Sequence, residues 1–184
     1  MSDVEFAYND MVYIGFATKD RNQYNYGDDP DLSLLLLNKE QLLESDNDFL
    51  FYNQSSIDNK SVILEYQSLG TGSDDQFAYI DFGSLPAHIE NMKFIVTRHT
   101  KSTTGLNYDL TIRIAYKACA DQTIPSNFEH ILKKTFRLES SEQTMYLFDI
   151  KKVESGWRLS FIEQIKRGDL SNVYEQFTKK QITN

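Results

Sequence analysis

VILEYQSLGTGSDDQFAYIDF, from Val62 to Phe82, is the stretch around which the chain is organised. Its two ends, Val62–Tyr66 and Phe77–Phe82, are rich in β-branched and aromatic residues, which favour strands. In the second end, successive side chains also point to opposite faces of the strand. A period of two residues is the pattern of a half-buried strand. The stretch therefore predicts two strands joined by a polar turn.

The polar turn is the part of this hairpin that could carry chemistry. Gly70 and Gly72 permit positive φ angles, so the backbone there can turn its carbonyl groups inward. Asp74 and Asp75 follow directly and place two carboxylates beside those carbonyls. Oxygen ligands on a flexible loop suit a hard cation such as calcium. The alternative is a long hairpin loop whose acids are simply solvated.

Length, charge and cysteine content restrict the class of protein. The chain has 184 residues and a formal net charge of −8, which predicts a single domain, 1–184, with no affinity for nucleic acid or anionic lipid. Cys119 is the only cysteine, so no internal disulfide can form, and a cytoplasmic location is expected. Neither a secretory signal nor an apolar run long enough for membrane insertion is expected.

Short strand-like runs continue along most of the chain and are separated by turn residues. Phe128–Leu138 fits either a strand or a short helix, and no regular helices intervene between the other runs. This order predicts a mainly β fold, a β-sandwich of antiparallel strands. The other predicted strands are Val4–Phe6, Met11–Phe16, Leu32–Leu37, Phe49–Tyr52, Met92–His99, Leu110–Tyr116, Thr144–Lys151 and Trp157–Ile162.

The periodicity changes near the end of the sequence, where a short C-terminal helix is expected. Leu170, Val173, Tyr174 and Phe177 recur at the spacing of an amphipathic helix. Asp169 is the expected N-cap, with Ser171 as the alternative. We expect the apolar stripe to pack on the sandwich, and a groove on a partner protein is the other interpretation.

Motifs for catalysis are absent from the sequence. It contains no glycine loop with phosphate-binding spacing and no His-Glu-x-x-His. His88, His99 and His130 are far apart in the sequence and are interpreted as surface or strand residues rather than ligands. Cys119 is interpreted as structural. We therefore predict that the chain is not an enzyme and has no catalytic residues.

Several segments occur in an order that is known from one protein family. Taken together, they resemble the TerD family of tellurium-resistance and stress-response proteins over approximately Tyr13 to Phe177. The segment Ser45–Asn53 is similar to the family pattern DDFVFYN and is the most specific of them. The other similar segments are Tyr13–Phe16, Asp31–Ser33, Gly70–Gln76, Ile80–Phe82, Ile89–Thr97, Ile112–Ile114 and Gly156–Trp157.

The resemblance implies a non-enzymatic calcium-binding β-sandwich that works with other stress-response proteins of the Ter type. It implies a metal site in which Asp31 matches the first aspartate of the family's DLD segment. The residues that match the family's metal site by position are Asp31, Asp74, Asp75, Gly70, Gly72 and Asn53.

The sequence departs from the family pattern at residues that matter for calcium. Ser33, Thr71 and Ser73 stand where the family has aspartates, and neutral oxygens attract a dication far less than carboxylates do. Asp28 and Asp29 could compensate. Two alternatives follow: a protein with a degenerate calcium site, or a metal-free sandwich that acts as a scaffold or interaction module.

The calcium interpretation carries an expectation for stability. Replacing Asp74 and Asp75 by Ala should abolish any stabilisation by calcium. It should leave the metal-free fold intact or more stable, because the removal of two like charges from one loop relieves repulsion.

Overall fold

The structure is a computed structural model that describes residues 3–20, 30–66, 74–98, 105–116, 127–140 and 142–178. Within these residues the chain forms eleven strands and one α-helix. They are β1 Val4–Phe6, β2 Met11–Asp20, β3 Pro30–Leu37, β4 Phe49–Leu50, β5 Val62–Tyr66, β6 Gln76–Asp81, β7 Asn91–Arg98, β8 Leu106–Tyr116, β9 His130–Leu138, β10 Gln143–Val153, β11 Gly156–Arg167 and α1 Leu170–Phe177.

The strands form two antiparallel sheets. The first, sheet A, has the order β1-β11-β10-β7-β3-β4, and the second, sheet B, has the order β5-β6-β2-β8-β9. The predicted hairpin is present, because Val62 pairs with Ile80 and Tyr66 pairs with Gln76. A β-sandwich with a short C-terminal helix was the predicted fold class, and it is confirmed.

Alternation along the strands builds the core between the sheets. In β2 and β8, Ile14 and Ile114 are opposite each other and both are fully buried. Phe94 of sheet A stacks on Phe148 with ring centroids 4.4 Å apart, and Phe16 of sheet B lies 6.0 Å from Phe94. The inward-facing residues of both sheets thus form one continuous apolar layer.

Strand β3 is buried on both faces, as its run of leucines predicts. Leu34 faces the core between the sheets, whereas Leu35 belongs to a second cluster on the outer face of sheet A. Val173 and Phe177 of α1 complete that second cluster. The amphipathic stripe therefore packs on the sandwich, as expected.

The start of α1 also agrees with prediction. The Asp169 carboxylate accepts a hydrogen bond from the Asn172 N–H at 3.0 Å, and the Asn172 side chain accepts one from the Asp169 N–H at 3.1 Å. Asp169 is therefore the N-cap, and the alternative, Ser171, lies in the first turn.

Most strands extend beyond their predicted bounds, one run that was left open is resolved, and one strand is shorter than predicted. The ambiguous run ending at Leu138 is the strand β9, which pairs with β8 at the edge of sheet B. The predicted strand Phe49–Tyr52 is shorter, because Phe51 and Gln54 exchange two backbone hydrogen bonds of 2.9 Å and turn the chain.

No helix in the described ranges is long and apolar enough to cross a bilayer.

Candidate functional site

Asp74 lies on the outer face of sheet B, where each of its two carboxylate oxygens has a side-chain partner. The side chain is 1% exposed and forms an ion pair with Arg113 of β8. The Tyr13 hydroxyl of β2 donates a hydrogen bond to the other carboxylate oxygen at 3.0 Å. Three neighbouring segments therefore converge on this one acid, because β2 lies between β6 and β8 in the sheet.

Aromatic rings pack against the ring of Tyr13, whose hydroxyl contacts Asp74. Tyr13 stacks on Phe77 at 5.5 Å and meets Tyr79 edge-on at 5.2 Å. Burial raises the pKa of Tyr13 far above its ordinary value, and the negative charge of Asp74 raises it further. Tyr13 is therefore a neutral hydrogen-bond donor at physiological pH.

Gly15 provides the space that Asp74 occupies. A Cβ atom at Gly15 would collide with the Asp74 carboxylate and would lie 2.8 Å from the Tyr13 ring. The backbone N–H of Asp75 donates to the Phe16 carbonyl oxygen at 2.8 Å, which fixes the chain above this glycine. The absence of a side chain at Gly15 thus lets the acid lie flat on the sheet.

We expect Gly15→Ala to lower the free energy of unfolding by about 1–3 kcal/mol, because the methyl group overfills the space below Asp74. Chemical denaturation measures this change. The matched control is Gly83→Ala, since a Cβ there would have its nearest neighbour at 3.4 Å. If Gly15→Ala costs as much with Asp74 replaced by Gly as with Asp74 present, the collision is not the cause.

The start of β3 is joined to sheet B by a glutamine side chain. The Gln76 amide accepts a hydrogen bond from the Leu32 N–H at 2.6 Å and donates one to the Pro30 carbonyl at 2.8 Å. Strand β4 pairs only with Leu34 and Leu35, so it does not reach this part of β3. Gln76 satisfies the backbone where that neighbouring strand is missing.

Tyr66 makes a second link at the same place and lies near Asp31. Its hydroxyl donates to the Leu32 carbonyl at 2.7 Å. Burial raises the pKa of Tyr66 well above its ordinary value, and the negative charge of Asp31 raises it further, followed by the influence of Tyr52. Asp31 is therefore held close to the end of β5, from which the glycine-containing segment departs.

The predicted metal ligands that the structure describes, which are Asp31, Asn53, Asp74 and Asp75, do not share one location. Asp31 lies at the junction of β3 with β5 and β6, while Asp74 is withdrawn to the outer face of sheet B. Asn53 is exposed in the turn between Phe51 and Gln54. Asp75 is exposed and follows Asp74 at the start of β6.

Some predicted residues lie outside the described residues. They are Gly70 and Gly72 of the metal set, Asp28 and Asp29, and also His99 and Cys119. Within the described ranges, His88 lies 3.2 Å from the Asp48 carboxylate and His130 begins the edge strand β9.

The predicted metal residues differ in how well they suit calcium. Asp74 does not fit, because both of its oxygens already accept hydrogen bonds from Arg113 and Tyr13. Asp31 and Asp75 carry carboxylates, the oxygen ligands that suit calcium. Among the described residues, no three His, Cys, Asp or Glu side chains are grouped closely enough to hold a metal ion.

Two contacts at the candidate site were not predicted from the sequence, although a sequence pattern indicates one of them. Gln76 has the same parity as Ala78 and Ile80, so a polar side chain stands at a core-facing position. Such a residue must find buried partners. The pairing of Arg113 with Asp74 left no comparable signal, because it depends on β2 lying between β6 and β8.

Comparisons with known proteins point to one family. The family model described as the TerD domain matches residues 6–177. General stress protein 16U of Bacillus subtilis (strain 168) is 27% identical over 158 residues, which are 84% of this chain and 80% of that protein. The uncharacterised protein YceE of the same organism is 28% identical over 127 residues, 66% of each chain.

Solved structures share the fold at low sequence identity. A homologue of the telluride resistance protein TerD, SCO6318 from Streptomyces coelicolor A3(2), superimposes with a TM-score of 0.59 at 8% identity, over 89% of this chain and 94% of that one. The protein of unknown function SAV2460 gives a TM-score of 0.58 at 14% identity, with the same coverage of each chain.

Proposed function

This chain belongs to the TerD domain family, and from that membership we propose that it is a non-enzymatic stress-response protein that works as a metal-independent interaction module. Its partners on this proposal are other stress-response proteins of the Ter type, in the cytoplasm. The similarity to general stress protein 16U supports the stress-response role. Tellurite chemistry itself is not part of the proposal.

The observation that carries the metal-independent role is the ion pair between Asp74 and Arg113. Where the family pattern suggests a carboxylate for a cation, this chain supplies an internal cation. A buried carboxylate needs a positive partner or hydrogen bonds, and Arg113 and Tyr13 provide both without a metal. The hairpin can therefore keep its position in the absence of calcium.

A second candidate function, weak calcium binding, has one specific observation in its favour. Tyr66 and Gln76 hold the start of β3 so that Asp31 lies near the end of β5. Asp31 and Asp75 would then supply carboxylates, with Asn53, Gly70 and Gly72 as the remaining predicted members of the site. Fewer carboxylates mean weaker binding, because calcium affinity follows the charge and number of ligands.

Thermal unfolding with excess calcium and with a chelator distinguishes the two candidates. We expect coincident curves, since the metal-independent protein gains nothing from the ion. A site filled at one hundred times its dissociation constant would instead add about 2.7 kcal/mol, a rise of about 5–10 °C for a domain of this size.

Two controls make the result specific. Magnesium at the same concentration reports the general effect of a divalent cation on an acidic protein. The variant Asp31→Asn removes the carboxylate nearest the proposed calcium site. A rise with calcium that magnesium does not reproduce and that Asp31→Asn abolishes would replace the metal-independent proposal by the calcium one.

A further inference from the structure

A groove with aromatic walls lies between α1 and the turn after β4, and none of the predicted metal residues lines it. Its volume is about 410 Å³, within the range of sites for small molecules. Phe49 stacks on Tyr174 with centroids 5.8 Å apart and packs against Phe51 at 5.5 Å. The lining residues are Asp46, Phe49, Phe51, Gln54, Leu170, Ser171 and Tyr174.

The groove carries a negative charge on its wall. The exposed carboxylate of Asp46 accepts a hydrogen bond from the Tyr174 hydroxyl, and this bond raises the pKa of Tyr174. None of the ion pairs formed among the described residues involves Asp46. Its charge is therefore not neutralised by a described lysine or arginine.

The other polar groups of the groove are fixed by local structure. The Gln54 side-chain amide donates to the Asp46 carbonyl at 3.0 Å, which ties the turn to the segment that carries Asp46. Phe51 and Gln54 exchange backbone hydrogen bonds across the same turn. The carboxylate and the rings are thus held in a fixed relation before any ligand arrives.

We propose that this groove binds a small organic cation, an alkylated ammonium group attached to an apolar body. The faces of aromatic rings attract cations through their quadrupole, and alkylammonium groups are the usual ligands of such sites. Asp46 adds a full negative charge on the same wall. The net charge of −8 further favours cations over anions.

This groove is separate from the ion pair between Asp74 and Arg113 on which the proposed function rests. It uses none of the predicted metal residues, and it lies on the outer side of sheet A, where α1 packs. The test is therefore made in the presence of a chelator, so that calcium contributes to no outcome.

Choline and its neutral isostere 3,3-dimethyl-1-butanol test the proposal, because they differ only in the charged nitrogen. Backbone amide shifts are followed by NMR in the full chain at ligand concentrations of about 1–10 mM. We expect choline to shift the amides of residues 46–54 and 170–174, and the isostere to bind about fivefold more weakly.

Matched variants show whether the named side chains are responsible. Asp46→Asn keeps the shape and removes the charge, and we expect it to weaken choline binding about fivefold. Asp58→Asn makes the same change in net charge nearby, and we expect its effect to be less than about twofold. Phe51→Leu removes a ring but keeps the groove apolar, and it should also weaken binding.

Several outcomes would overturn the proposal. Equal binding of choline and the isostere would mean that the groove recognises only apolar surface. Equal effects of Asp46→Asn and Asp58→Asn would mean that net charge alone attracts the cation. The absence of shifts in residues 46–54 and 170–174 would exclude the groove. Binding of a lysine-containing peptide without any binding of choline would identify a protein partner instead.

Discussion

Replacing Asp74 by Asn is expected to lower the free energy of unfolding by about 3 kcal/mol, because it leaves the Arg113 guanidinium beside a neutral group in a largely buried position. The Asp74 side chain is 1% exposed and that of Arg113 is 19% exposed, so water can screen the remaining charge only in part. For a domain of this size, the melting temperature should fall by about 6–12 °C.

The neighbouring acid supplies the matched control for Asp74. Asp75 is exposed, so Asp75→Asn should change stability by no more than about 0.5 kcal/mol. Equal effects of the two substitutions in urea denaturation would contradict the role given to the ion pair. Replacing both Asp74 and Arg113 by apolar residues should cost less than the sum of the single changes, since neither charge is then left unpaired.

This result would reverse the expectation based on repulsion between loop acids. That expectation treated Asp74 and Asp75 as equivalent, because they are adjacent and chemically identical. In the structure, one is buried against Arg113 and the other is exposed. Removing Asp74 therefore eliminates an attraction rather than a repulsion.

The second large effect is expected at the single tryptophan. Trp157 is 3% exposed and stacks on Phe82 with centroids 5.0 Å apart. It is the second residue of β11, where it pairs with Phe6 of β1. Replacing Trp157 by Ala should lower the free energy of unfolding by about 3–5 kcal/mol, the range for removing a large aromatic side chain from a core.

Two further substitutions give the tryptophan result its meaning. Trp157→Phe keeps most of the apolar contact and should cost clearly less than Trp157→Ala. Ile131 is 57% exposed on β9, so Ile131→Ala should have an effect within about 0.5 kcal/mol. A tolerated Trp157→Ala, with a midpoint equal to that of Ile131→Ala in urea, would contradict the core role.

The strands and the core residues could be predicted from the sequence, because the alternation of apolar and polar residues is a local property. Val62–Tyr66 has the same bounds in the sequence interpretation and in the structure. In the predicted strand Leu110–Tyr116, the core residues Leu110, Ile112 and Ile114 recur at every second position. Burial of one face requires apolar residues at every second position. The alternation is therefore present in the sequence of each strand, whichever strand it pairs with.

The candidate metal site could be proposed from the sequence only by resemblance. That resemblance pointed to Asp31 and to the acids before β6, but it could not separate Asp74 from Asp75. Their difference depends on Gly15 and Arg113, which lie on two other strands. The occupancy of a site by calcium stays a prediction.

By itself, the sequence determined the β-sandwich class, the positions of most strands, the capped helix that packs on it, and the family. These features depend on periodicity, turn residues and local capping, which act over a few neighbouring residues. Only the tertiary structure decided which strands are neighbours, and therefore that Asp74 meets Arg113 over Gly15 and that Gln76 bonds to β3. The physical reason is that side-chain charge and hydrogen bonding act over a few ångströms, so their partners are chosen by sheet order rather than by distance along the chain.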